Sequence, residues 1–312
     1  MGKAAGKTFK SIEEQVALLQ ARGVATDAET PSVLLREGYY AVVNGYGKAF
    51  LDPAATAAAS DDRYLEGTTF DQIYQLFLFD RELRALTFRA VMSVECTLRS
   101  ILSHTFCEHH PKTEAYLRRG CYAQQSEYLR GSDGYDGDLT WMINTLEHHA
   151  RGHTSDERDD EPHDGQQVAW YREHYHEVPL WVLFSDLTFG NLRYFFALMK
   201  RNEQRIVCQR MRETCGTTSA GKTLSPAGML HDLETLGQLR NDCAHEERIY
   251  DATFGADEVT YQQVLSTLVA YLGEWDEARL LEGVRRLSLR TARLTPAVAP
   301  ILAARGFETV GS

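Results

Sequence analysis

Residues 68–106 read TTFDQIYQLFLFDRELRALTFRAVMSVECTLRSILSHTF. Phe70, Ile73, Tyr74, Phe77, Phe88, Val91, Met92, Leu98 and Leu102 stay in helical register, so the stretch predicts the longest helix of the chain. Shorter segments keep the same period. One holds Ile12, Val16, Leu18 and Leu19, opened by a Ser11/Glu14 capping box and closed by Gly23. Others are Pro226–Leu239, with Leu230, Leu233 and Leu236, and a helix over 257–282 with Val264, Leu265, Leu268 and Leu272. With only eight prolines in 312 residues, the pattern predicts an all-α fold.

Two polar residues intrude on the apolar stripe of the long helix. Glu95 lies four residues after Val91, and Arg99 four after Glu95. That spacing predicts an ion pair directed inward, serving either as buried structure or as support for a site. A second intrusion comes after the helix expected over 226–239. There the chain runs Gln238-Leu239-Arg240-Asn241-Asp242-Cys243-Ala244-His245, and Arg240, four after Leu236, continues the apolar stripe. A permanent cation on a core-directed face is costly unless it is paired or serves a purpose.

An imidazole near neutral pKa can take a proton from a ribose 2′-hydroxyl or give one to the leaving 5′-oxygen. A guanidinium can grip the phosphate between them. His245 and Arg240 are therefore candidates for RNA cleavage without a metal, with Asn241 orienting either group. The spacing resembles the R-x-x-x-x-H motif of HEPN-domain ribonucleases. Five residues of ideal helix turn the chain by about 500° and leave the two side chains about 140° apart, so the reading requires a helix end, a distortion or a sweeping arginine. Arg99 and His104 repeat the spacing, and roughly one such match is expected by chance. His104 falls on a different helical face from Arg99.

The net charge of −11 argues against a protein that coats nucleic acid nonspecifically, but leaves room for a local basic cleft. The six cysteines form no C-x-x-C pair, which predicts reduced thiols in a cytoplasm. No apolar run approaches a membrane span. His148, His149 and His153, followed by an acidic loop to Gly165, and His174 with His176, lack metal-ligand spacing and read as solvated loops, with a metal site the alternative. Residues 1–10 read as a basic tail, 52–67 as a linker, 107–137 as turn-rich and 213–225 as a Gly/Ser/Thr loop. Asn44-Gly45 reads as a break, as does Thr188–Asn191 with Gly190 at a positive φ or a close approach. The aromatic residues of 32–50, among them Tyr40, Tyr46 and Phe50, read as core, with a base-stacking platform the alternative. Residues 284–305 carry Arg285, Arg286, Arg290, Arg293 and Arg305 and no acid. They form either a core-covering helix or a phosphate-contacting strip.

Four stretches, taken in order, resemble the abortive-infection (Abi) family of bacterial phage-defence proteins, the group that includes the D and F types. They are Ser11–Gly23, Gly38–Tyr46, Ile73–Arg84 running into Val94–Arg99, and Pro179–Gly190. The family's R-N-x-x-A-H matches Arg240–His245, and Ala304–Phe307 is like its last helix. Asp186 stands where the family usually has Glu, and the usual Pro and Trp after Gly-Phe are missing. The resemblance implies a HEPN-like helical bundle and a toxin-like ribonuclease that halts growth of an infected cell. It also implies a homodimeric site and, in some relatives, an associated small noncoding RNA. The expected organisation is an N-terminal helical region (1–60), a HEPN-like core (61–283) with a loop insertion near 122–166, and a basic C-terminal tail (284–312). Arg240, His245 and Asn241 would be catalytic, with Glu95, Arg99 and His104 supporting and Arg285, Arg286 and Arg290 binding RNA. No cofactor is expected, and the partners expected are RNA and a second copy, with no membrane. The alternative is a non-catalytic RNA-binding or scaffold module of a defence system.

Overall fold

The computed structural model describes residues 8–151, 166–215 and 224–309. Residues 1–7 of the expected basic tail, His153 with the acidic loop to Gly165, and residues 216–223 of the Gly/Ser/Thr loop lie outside them. The fold is an all-α bundle. In chain order the helices are α1 (Ile12–Ala21), α2 (Thr30–Glu37), α3 (Pro53–Ala59), α4 (Phe70–His109), α5 (Tyr135–Arg151), α6 (Gln166–Tyr175), α7 (Leu180–Leu183), α8 (Phe189–Leu198), α9 (Arg201–Thr214), α10 (Pro226–Ala244), α11 (Tyr261–Val269), α12 (Glu274–Leu294) and α13 (Ala299–Ala303). The only sheet among the described residues is a hairpin of β1 (Thr253–Phe254) and β2 (Val259–Thr260). Among the described residues no helix is long and apolar enough to cross a membrane.

The capping box at Ser11 forms as its sequence predicts, and Gly23 follows α1 with φ +95°. Four expectations differ. The linker expected over 52–67 contains α3, because Asp52 accepts hydrogen bonds from the amides of Ala54 and Ala55, Pro53 sits in the first turn, and alanine is the best helix former. Asn44-Gly45 does not break the chain: Tyr40–Asn44 is a π-turn, and Gly45 stays in the right-handed helical region. Gly190 has neither a positive φ nor a close neighbour from another element; the helix start is made by Thr188, whose hydroxyl accepts from the amide of Asn191. The helix expected over 257–282 is two, α11 and α12, interrupted at residues 270–273, and α12 runs on to Leu294.

The chain forms two compact units, which divide it differently from boundaries at 60 and 283. One holds the described residues up to Leu86, Glu246–Ala252 and those from Leu281 onward; the other holds Thr87–His245 and Thr253–Leu280. The basic C-terminal region thus shares a unit with the N-terminal helices. There Val284, Leu287 and Ala292 of α12 are buried, and Phe307 meets Phe79 edge-on at 5.1 Å. Tyr46 and Phe50 from the aromatic stretch are core, while Tyr40 is exposed.

The first unit is organised around a buried acid. Asp80 of α4 is fully buried. It accepts from the Tyr46 hydroxyl (2.7 Å), the Arg84 guanidinium (2.6 Å) and the amide of Tyr250 (2.8 Å). A buried carboxylate without such donors costs several kcal/mol, roughly, so the set is all-or-none. It ties the segment 249–250, a few residues past His245, to α4.

Candidate functional site

Every residue of the site proper belongs to the second unit. Helix α10 starts at Ser225, whose hydroxyl accepts from the amide of Gly228 (3.1 Å). Leu233, Leu236, Leu239 and Cys243 bury one face. Arg240 lies at the edge of that face and is half-buried, as the spacing from Leu236 predicts. The guanidinium packs on the Phe88 ring of α4, 5.8 Å from its centroid, and its Nε stands 3.9 Å from Glu95 Oε2.

Glu95 is the acid at the centre. Its side chain is buried, and its Oε1 accepts from Arg99 Nη2 at 2.7 Å. The same Nη2 donates to the carbonyl of Leu187, in the turn before α8, at 3.2 Å. Glu95 Oε2, Arg99 Nε and Arg240 Nε are all buried and make no hydrogen bond among the described residues. One carboxylate therefore faces two guanidinium groups and neutralises only one. At 3.9 Å Arg240 gains Coulomb attraction but no hydrogen bond. The structure thus assembles an arginine held from below by an aromatic ring and an acid, with its polar capacity unspent.

Helix α10 ends at the last residue of the R-x-x-x-x-H stretch, with Arg240 to Ala244 still helical. Ala244 is the last helical residue, and His245 is the C-cap, its amide donating to the carbonyl of Asn241 (2.8 Å). Glu246 follows in the left-handed region with φ +60°. The side chains of Asn241 and His245 are exposed, and among the described residues no hydrogen bond or ion pair engages the imidazole.

The structure separates the other candidates. His104, exposed, pairs with Glu108 at 3.0 Å, and Glu108 in turn holds Arg210 of α9 at 2.6 Å. Glu108 lies nine residues beyond Arg99 on α4, about two and a half turns, and is engaged by α9 and not by the Glu95–Arg99–Arg240 group. In the first unit Arg285 is tied to Glu308 at 2.9 Å, and Arg290 to both oxygens of Glu82 at 2.8 and 2.7 Å. Among the described residues Arg286 has no such partner. Among the described residues no three His, Cys, Asp or Glu side chains are grouped to hold a metal ion. His148 and His149 lie in the last turns of α5 and His174 in α6, not in loops; His174 stacks on Trp170 and contacts its carbonyl at 2.8 Å.

Sequence reading assigned no role to Asp80 and Arg84, and read Tyr46 as core, with a base-stacking platform the alternative. A signal for the first two was present: Asp80 and Arg84 are an acid and an arginine four apart on the apolar stripe of α4, the pattern that singled out Glu95 and Arg99. Tyr46 carried none, since its hydroxyl partner is 34 residues away in sequence.

No curated protein matches the chain, and no solved structure matches it. A family model described as "Abi-like protein" matches residues 32–251. That span takes in both acid–arginine pairs of α4 and the Arg240–His245 segment, and stops short of the basic C-terminal region. A match over more than two-thirds of the sequence settles the family: the chain belongs to the Abi-like proteins.

Proposed function

We propose that this chain is a metal-independent endoribonuclease of the HEPN type, related to the D and F kinds of abortive-infection protein, and that it acts in phage defence. Family membership supports the biological setting. The chemistry rests on one observation: Arg240 is held beside the Glu95–Arg99 pair without a hydrogen bond of its own, on the helix that His245 caps.

Ribose supplies its own nucleophile, so the protein needs only to move protons and hold charge. A base takes the 2′-hydroxyl proton as the 2′-oxygen bonds to phosphorus. The bond from phosphorus to the 5′-oxygen then breaks, and an acid gives that oxygen a proton. The products are a 2′,3′-cyclic phosphate and a 5′-hydroxyl. His245 is the proton carrier, and Arg240 binds the non-bridging oxygens where charge builds. The imidazole that takes the first proton can give it to the leaving oxygen, and in a homodimer the His245 of a second copy would share the two transfers. Asn241 orients the phosphate or the imidazole, and Glu95 and Arg99 fix Arg240.

Incubation of end-labelled RNA with the protein, with and without a chelator, tests this. The expected result is chelator-resistant cleavage leaving cyclic phosphate ends, none at a 2′-deoxy position, and a loss of about 10²–10⁴-fold in His245→Ala with the fold retained. Cleavage undiminished in His245→Ala overturns the assignment. RNA bound but never cut by the wild type makes the chain a non-catalytic RNA-binding module instead.

A further inference from the structure

Within the first unit, the segment of α12 from Gly283 to Leu294 and the turn of α4 holding Glu82, Ala85 and Leu86 enclose an open groove of about 1050 Å³. Its walls are mainly apolar: Ala85, Leu86, Leu287, Leu289 and Leu294, the last 71% exposed. Arg286, Arg290 and Arg293 stand along it at helical spacing. Arg290 is spent on Glu82. Arg286 and Arg293 make no ion pair or hydrogen bond among the described residues. Gly283 lets the two helices approach closely, since a Cβ there would lie 3.2 Å from Leu86 Cδ2. In a chain of net charge −11, this groove is cationic.

We propose that the groove docks an amphipathic helix from a partner protein, with acidic side chains flanking its apolar face. The twelve residues from Gly283 to Leu294 span about 16 Å, three helical turns, which suits anchors at i, i+3, i+4 and i+7. Exposed Leu294 with half-buried Leu86 and Leu289 supplies the apolar contact, and the two unpaired guanidinium groups select acids at the rim. Single-stranded RNA is the poorer occupant, because the lining holds no aromatic ring on which a base could stack. A second copy is also poorer. A two-fold contact through this face would set the same arginines against each other. The inference is independent of the nuclease reading.

A display library of 16-residue helical peptides tests it, with leucines fixed at i, i+3, i+4 and i+7 and the flanking positions randomised over acidic, basic and neutral residues. Selection on the full-length protein is expected to enrich acidic flanks. A synthetic winner should lose at least tenfold in affinity for the Arg286→Glu/Arg293→Glu variant, and its Glu→Lys version should prefer that variant. Circular dichroism confirms that the variant folds. Failure to enrich, absence of acidic bias, or equal binding to both proteins overturns the proposal. So does a U12 oligonucleotide whose binding falls in the variant and is not competed by the peptide, or a wild-type dimer that the variant dissociates.

Discussion

Glu95 faces two guanidinium groups, and their unequal treatment separates structure from function. Arg99 is bonded to both Glu95 and the Leu187 carbonyl, whereas Arg240 is bonded to neither. Arg99→Met strands Glu95 in the core and is expected to cost about 3 kcal/mol in urea unfolding. Arg240→Met removes a half-buried cation that makes no hydrogen bond and keeps the contact with Phe88. It is expected to change stability by less than about 1 kcal/mol, in either direction, while abolishing the proposed RNA cleavage. Equal destabilisation by the two changes would make Arg240 structural. The Glu95–Arg99 pair was legible in the sequence because helical spacing fixes which residues are neighbours within one helix. The approach of Glu95 to Arg240 depends on packing between helices 145 residues apart in the chain, which periodicity only hints at through the polar intrusions on both stripes.

At the scale of elements, the end of α10 and the hairpin packed on that helix can be probed directly. Glu246 occupies a left-handed conformation, φ +60°, that glycine adopts more cheaply. Glu246→Gly is expected to raise stability by about 0.5–1 kcal/mol, the left-handed penalty less the extra backbone entropy of glycine, measured as a shift in the urea midpoint. The turn between β1 and β2 is pinned to α10, where the Gly255 amide donates to the Gln238 side chain at 2.8 Å. A Cβ on Gly255 would lie 2.6 Å from Thr235 Oγ1, at φ +70°. Gly255→Ala is therefore expected to cost about 2–4 kcal/mol. Adding Thr235→Ala should recover part of that loss, and simple additivity would refute the contact. Sequence periodicity located α1, α4 and α10 but missed α3, since a run of alanines has no apolar stripe and its start depends on one Asp-Pro cap. It also fused α11 with α12, because Tyr271 and Leu272, buried in the interruption, keep the apolar count high.

For the whole molecule, burial sets how the chain answers alkali. The thiols of Cys107 and Cys215 are pushed up to about 11 and that of Cys208 to about 12, each by loss of solvent. Burial also raises the Tyr46, Tyr122 and Tyr271 hydroxyls above the ordinary tyrosine range. A group raised on folding holds its proton in the native state and releases it in the unfolded chain, so unfolding gains as pH climbs past the ordinary value. For the thiols that window opens near 9, the ordinary thiol value, and extends to about 11–12. Urea midpoints should therefore hold from pH 7 to 8.5 and fall steadily above 9. The same groups give an independent readout, because only the thiolate alkylates. Cys96, exposed on α4, should react with iodoacetamide first at pH 8.5. Cys107, Cys208 and Cys215 should stay unlabelled until urea passes the unfolding midpoint, then label together. Rapid labelling of Cys208 in the native protein, read by peptide mass spectrometry, would contradict the buried packing that sets it 3.7 Å from the Met229 sulfur.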